Sequence, residues 1–261
     1  RKDWTSVAAL AQRIKNAYKN EAEGYFLDGL AQKGLARFKL AIGGFNRALN
    51  IEPKRYDAGI ELAQLYLMLL KHADAFKLLN EYEHYLSNSP LYLDMAAGVF
   101  TGLGLHDRAW PLYKKAYDLQ PEIDTFKANL AACAVLLGKV AEAKALYTAL
   151  LSKYPQHQKN HYELSKLETA KNDSHIKQME SLLAATKASP EQPIYLYYAL
   201  GKELEDLARW EESFAYYQKA GAAVLSVANY KVEDDLRLID KIIDTCNADW
   251  IANTPSSTDS E

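Results

Sequence analysis

The amino-acid sequence repeats itself with a period of 34 residues, and this repeat restricts the fold more than any other feature. Pro121 and Pro155 lie one period apart, and Pro53 lies two periods before Pro121. An apolar, helix-like pattern precedes each proline, as expected where proline ends one helix and admits the next. Periods of about 20–50 residues are typical of proteins built from stacked copies of one small unit.

Small residues recur at two fixed places within each period. On the first and second predicted helices of a unit these are Gly29, Ala63, Ala97 and Ala131, then Ala41, Ala75, Ala109 and Ala143. Side chains of this size let two paired helices approach closely. Aromatic rings at Phe45, Tyr113 and Tyr147 follow on the second helix, and we expect them to fill the gap toward the next helix pair.

This spacing of large, small and aromatic residues resembles the tetratricopeptide repeat (TPR). The resemblance implies an all-α fold, a right-handed superhelix of about six helix–turn–helix repeats with end helices. We predict an N-terminal helix without a repeat partner in residues 1–22, the array in 23–226, a capping helix in 227–252 and a polar tail or linker in 253–261. Residues 161–189 fit the repeat weakly, because Lys177 and Ser181 replace the expected small and aromatic residues.

Charge and cysteine content exclude several classes of partner and compartment. The formal net charge is −3 with both signs interspersed, which gives no electrostatic basis for binding nucleic acid or an anionic membrane. The longest apolar run, from Leu130 to Leu137, is too short to cross a bilayer. We expect Cys133 and Cys246 to be small buried residues in a cytoplasmic protein.

Residues that carry catalysis or bind metals are scattered. The sequence contains no phosphate-binding loop, and it contains no group of an acid, a base and a nucleophile close together. His157 and His161 have the i, i+4 spacing that can place two metal ligands on one helical face, but no carboxylate or thiol clusters with them. We therefore predict no catalytic residue, metal or cofactor in this chain.

The resemblance to TPR proteins also implies a groove lined by the first helix of each pair. The predicted groove positions are apolar and mildly acidic in the N-terminal half and rich in Tyr and Lys in the C-terminal half. The candidate contacts to a bound protein or peptide are Tyr162, Lys166, Tyr195, Tyr198 and Lys202. Tyr and Lys can contact a peptide backbone and carboxylates. The alternative is that some of these rings pack between repeats.

TPR co-chaperones use Lys, Asn and Arg side chains to hold the terminal carboxylate of a peptide. Asn129 and Lys159 match that pattern, but Asp94 and Glu163 stand where Lys and Arg are required. Two acids at these places would repel the carboxylate, so we expect no receptor of this type.

The string YYALGKELEDLARWEESFAYYQKAGA at 197–222 resembles the last repeat of bacterial TPR-sulfotransferases, as does the helix from Tyr230 to Trp250. The resemblance implies a recruiting region for substrates or partners in a larger enzyme that uses the sulfate donor PAPS. Its donor-binding R-S/T-G-T-S/T motif is expected after the tail, and none of its catalytic residues is in this chain. The alternative is a free-standing scaffold or assembly factor. The apolar residues along one side of this helix, from Val232 to Cys246, serve either to cap the repeat array or to form a homodimer.

Overall fold

The computed structural model of the chain describes residues 3–86, 89–185, 193–228 and 230–253. The regular structure in these ranges is entirely helical, as predicted. It consists of fifteen α-helices and one short 3-10 helix at Glu83–Tyr85. The α-helices are α1 (Trp4–Ala17), α2 (Ala22–Gly34), α3 (Phe38–Ile51), α4 (Tyr56–Met68), α5 (His72–Tyr82), α6 (Pro90–Gly102), α7 (His106–Leu119), α8 (Asp124–Leu136), α9 (Val140–Lys153), α10 (Gln158–Ser165), α11 (Ser174–Ala185), α12 (Ile194–Asp206), α13 (Trp210–Val227), α14 (Val232–Thr245) and α15 (Ala248–Asn253). The predicted tail from residue 254 onward lies outside the described residues.

The chain divides into two compact units, unit 1 (Arg1–Glu168) and unit 2 (Thr169–Glu261). The division falls in the stretch whose repeat pattern is weak. There α10 has 8 residues, whereas the first helices α4, α6 and α8 have 13 each. The boundaries of a single array over 23–226 stay a prediction.

Small residues allow the helices of each pair to touch in unit 1. The small residues that recur with the repeat are fully buried. On the second helices these are Ala41, Ala75, Ala109 and Ala143, and on the first helices Ala63, Ala97 and Ala131. A Cβ atom added to Gly29 would lie 2.6 Å from the ring of Phe45 on the partner helix. The ring of Phe45 thus packs against its own pair, and its buried cluster also takes in Ala58 and Leu62 of the next pair.

The turns inside five of the helix pairs share one backbone geometry. A residue with positive φ, between 57° and 77°, follows the first helix by two positions at Ala36, Leu70, Gly104, Gly138 and Ala208. At the fourth of these turns the Lys139 amide donates to the Ala134 carbonyl (2.8 Å) and the Gly138 amide donates to Val135 (3.0 Å). This pair of bonds is the Schellman motif, and the next helix begins two residues later. The short turn forces the paired helices to run antiparallel.

The N-terminal helix packs against the first helix of the array, whose repeat partner is α3. That α1 has no repeat partner of its own stays a prediction. Helix α1 packs along α2, and Ala11 in the middle of α1 is fully buried. Lys15 Nζ of α1 lies 2.5 Å from the carboxylate of Asp28 on α2. Asp28 of α2 thus holds this helix in place.

The segment predicted as one capping helix forms the separate helices α14 and α15, and no residue of either is buried. Its role as a cap stays a prediction. Cys133 is buried as expected, but Cys246 is exposed, so the expectation for that residue was wrong. Among the described residues, no helix is both long enough and apolar enough to cross a membrane.

Candidate functional site

Four first helices of unit 1 (α2, α4, α6 and α8) lie side by side and form one face, which we call the first-helix face. Helix α10 is the first helix that follows them in the chain. Helix α4 packs against α2 and α6, and α6 also packs against α8. No comparable packing joins the second helices α3, α5, α7 and α9 to one another within the described part of unit 1. The groove that the resemblance implies would lie along these first helices, and its contacts with a ligand stay a prediction.

Side chains close the first two junctions on this face. Between α2 and α4, Lys33 Nζ donates to Glu61 (2.7 Å) and to Gln64 (2.5 Å). Glu61 is buried, so this ion pair supplies the partner that its carboxylate needs away from water. Between α4 and α6, the rings of Tyr56 and Tyr92 meet edge to face with their centroids 5.7 Å apart.

A polar contact closes the third junction, between α6 and α8. The Asn129 side-chain amide donates to both carboxylate oxygens of Asp94, at 2.9 and 3.0 Å. Burial raises the pKa of Asp94, and the hydrogen bond from Asn129 opposes that rise. Asn129 matches the pattern of the co-chaperones, but its side chain is held by Asp94, the acid expected to repel a peptide carboxylate.

The fourth junction, between α8 and α10, is open and contains a pocket of about 470 Å³. The apolar part of its lining comes from α8 and α9 and consists of Ala128, Ala132, Val135, Leu136 and Tyr147. The polar part consists of Asn129, His157, Lys159, Asn160, Glu163 and Lys166. Ala128 and Ala132 leave room beside α8 because their side chains are small. Helix α10 packs on α9 and makes no comparable contact to α8 in the described chain. The pocket is the space that results.

Two lysines and one glutamate give the pocket rim an excess of positive charge. Lys166 Nζ lies 2.8 Å from Glu163, and it also lies over the ring of Tyr162, 4.4 Å from the ring centroid. Lys159 is exposed and has no ion pair among the described residues. Burial, together with the charge of Glu163, raises the pKa of Tyr147 above its ordinary value.

The two histidines spaced by one helical turn have structural roles at the start of α10. The His157 ring nitrogen Nδ1 accepts from the Asn160 amide at 3.3 Å and caps the helix. His161 is fully buried, and its Nε2–H donates to the Pro155 carbonyl at 2.7 Å. Within the described ranges, no three potential metal ligands come together.

The structure distributes the five predicted contacts over both units. Tyr162 and Lys166 lie on α10 in unit 1, and of these two Lys166 lines the pocket. Tyr195, Tyr198 and Lys202 lie on α12 in unit 2, where Lys202 Nζ pairs with Asp206 at 2.6 Å. Their action as one binding site stays a prediction.

The prediction missed the alanines that form the pocket. Ala128 and Ala132 occupy first-helix positions that the repeat directs toward a ligand, but the choice of candidates favoured large polar side chains. A small residue at such a position signals a space, which a search for charged and aromatic groups does not detect.

Comparisons with known proteins establish the fold. No family model matches the sequence, and no curated protein matches it. PilF of Pseudomonas aeruginosa is similar in structure with a TM-score of 0.59 and 15% identity, over 84% of this chain and 97% of that one. YrrB, described as a TPR protein with an unusual peptide-binding site, gives 0.56 and 14%, over 81% and 99%. A TPR protein from Parabacteroides merdae gives 0.55 and 16%, over 90% and 91%. The fold is therefore that of the TPR solenoids, as predicted.

Proposed function

We propose that this chain, which has the TPR fold, is a protein-interaction module that binds a peptide segment in the pocket between α8 and α10. The observation that carries the proposal is the open fourth junction beside three closed ones. Its volume of about 470 Å³ lies in the range of ligand sites, about 300–1,000 Å³. The peptide-binding site described for YrrB supports the same kind of function on this fold.

The lining of the pocket suggests the chemistry of the peptide. An apolar side chain of the ligand would pack on Ala128, Ala132 and Val135, because burying apolar surface there releases water. An acidic group beside it would lie near Lys159, which is the rim cation without an ion pair in the described chain. We therefore expect peptides with an apolar residue close to Asp, Glu or the terminal carboxylate.

Filling the pocket tests the proposal. Peptides selected from a random library on the full chain would be measured by fluorescence anisotropy against the variant Ala132→Phe. We expect binding to fall at least about tenfold, since the ring occupies the space for the ligand side chain. Thr125→Phe is the matched control, because Thr125 is exposed on the same helix and does not line the pocket.

Two further variants locate the bound peptide. Lys159→Glu should weaken the acidic peptides and leave neutral ones unchanged. Tyr198→Ala combined with Lys202→Ala tests the part of the predicted contact set that lies in unit 2. If Ala132→Phe binds every selected peptide as tightly as the unaltered chain, the α8–α10 pocket is not the site. If the unit 2 variant loses binding instead, the contacts predicted from the sequence are the site.

The proposal of an attached sulfotransferase rests on the resemblance at 197–222 and Tyr230–Trp250 alone, and no comparison supports it. The coding sequence downstream of residue 261 decides between this proposal and a free-standing scaffold. An R-S/T-G-T-S/T motif after an apolar strand is expected for the transferase, and a stop codon would contradict it. Exclusion of nucleic acid, dimerisation and a cytoplasmic location likewise stay predictions from the sequence.

A further inference from the structure

Helix α14 in unit 2 carries an apolar stripe that no described residue of the chain covers. Val232, Leu236, Ile239 and Ile243 follow one another at intervals of four, three and four residues, so they lie along one side of the helix. Their side chains are between 50 and 64% exposed. A stripe with this alternation of intervals is the seam that packs against a partner helix in a coiled coil.

Acidic residues flank this seam on both sides. Glu233 and Asp240 lie on one side, and Asp235 lies on the other, where the exposed Ile242 takes the remaining flanking position. The basic residues of the helix, Arg237 and Lys241, lie on the face opposite the seam, where Arg237 pairs with Asp234. A helix that docks on the seam therefore meets carboxylates at its edges.

This charge distribution distinguishes among the candidate occupants. A second copy of α14 would place its own acids against these acids, and like charges beside a seam disfavour pairing. An anionic membrane surface would be repelled for the same reason. A helix with an apolar stripe between rows of Lys or Arg matches both the seam and its edges.

We propose that α14 is a docking helix for a partner segment of that chemistry, a basic amphipathic helix with a Leu- or Ile-rich stripe. The proposal is independent of the pocket, because it concerns other residues in the other unit. It gives the chain a second interaction surface, and this one accepts a helix.

Two synthetic peptides test the match of charge. Both have the same apolar stripe with seven-residue periodicity, and the flanking positions are Lys in one and Glu in the other. We expect the Lys peptide to bind the full chain at least about tenfold more tightly at low salt, with affinity falling as salt is raised. Equal binding of the two peptides, or no binding of the Lys peptide, would overturn the proposal.

Variants of α14 test the surface itself. Ile239→Asp with Ile243→Asp should abolish binding of the Lys peptide without lowering the unfolding temperature, since neither residue is buried. Glu233→Lys with Asp240→Lys should reverse the preference toward the Glu peptide. Lys241→Glu, on the opposite face, is the matched control and should leave the preference for the Lys peptide in place.

Two other occupants would be recognised in the same experiments. If the full chain sediments as a dimer and Ile239→Asp makes it monomeric, the partner is a second copy. If Ile239→Asp with Ile243→Asp lowers the unfolding temperature, the helix covers its own repeat array as a cap. Either result overturns the proposal.

Discussion

Helix α8 borders one closed junction and one open junction, and the two differ in the size of a few side chains. Toward α6, Asn129 reaches Asp94 and fills the space with hydrogen bonds. Toward α10, Ala128 and Ala132 leave a pocket of about 470 Å³. The same repeat scaffold thus yields a structural contact or a candidate ligand site. Which of the two forms depends on side chains that face the neighbouring repeat and are not needed to pack the two helices of one repeat together.

Adjacent alanines of α8 give the largest contrast in this comparison. Ala131 is fully buried against Tyr147 and Leu150, whereas Ala132 is exposed in the pocket. Ala131→Leu should lower the free energy of unfolding by about 1–3 kcal/mol through overpacking. Ala132→Leu should change it by less than about 0.5 kcal/mol. Urea unfolding measures both, and similar losses for the two variants would show that the pocket is part of the packed core.

A pair of lysines gives the next contrast. Lys33→Met leaves the buried Glu61 without its cation at the first junction, and we expect a loss of about 1–2 kcal/mol. Lys159→Met at the open junction should leave stability unchanged and weaken acidic peptides. Thermal unfolding and peptide titration measure the two effects. Equal stability of both variants would mean that the contact of Lys33 contributes nothing to closing the first junction.

The smallest effect concerns the pH dependence of the third junction. Because the pKa of Asp94 is raised, the folded state holds this proton more tightly than the unfolded state does. Its contribution to stability therefore falls as pH rises from the ordinary Asp value through the raised pKa. Asp94→Asn should raise the unfolding temperature relative to the unaltered chain at pH 7 more than at pH 3. An equal change at both pH values would contradict this assignment.

The repeat determined most of the fold from sequence alone. Small residues such as Ala97 and Ala131 lie where the paired helices touch, because larger side chains would hold the helices apart. Glycines such as Gly104 and Gly138 suit the positive φ of the turn between them. These requirements act within one 34-residue repeat, so they recur with that period and can be recognised in the sequence. Ala36, Leu70 and Ala208 adopt the same turn geometry without glycine, and only the spacing predicts them.

Tertiary structure decided where the helices fail to meet. The pocket depends on how α10, shortened to 8 residues, packs on α9, and no local pattern encodes that distance. The same holds for Val232–Thr245, whose stripe predicted a buried face although the structure leaves it exposed. Periodicity shows that a helix has an apolar side. Whether another element covers that side depends on contacts between distant parts of the chain, or with another molecule, which the sequence of one helix does not contain.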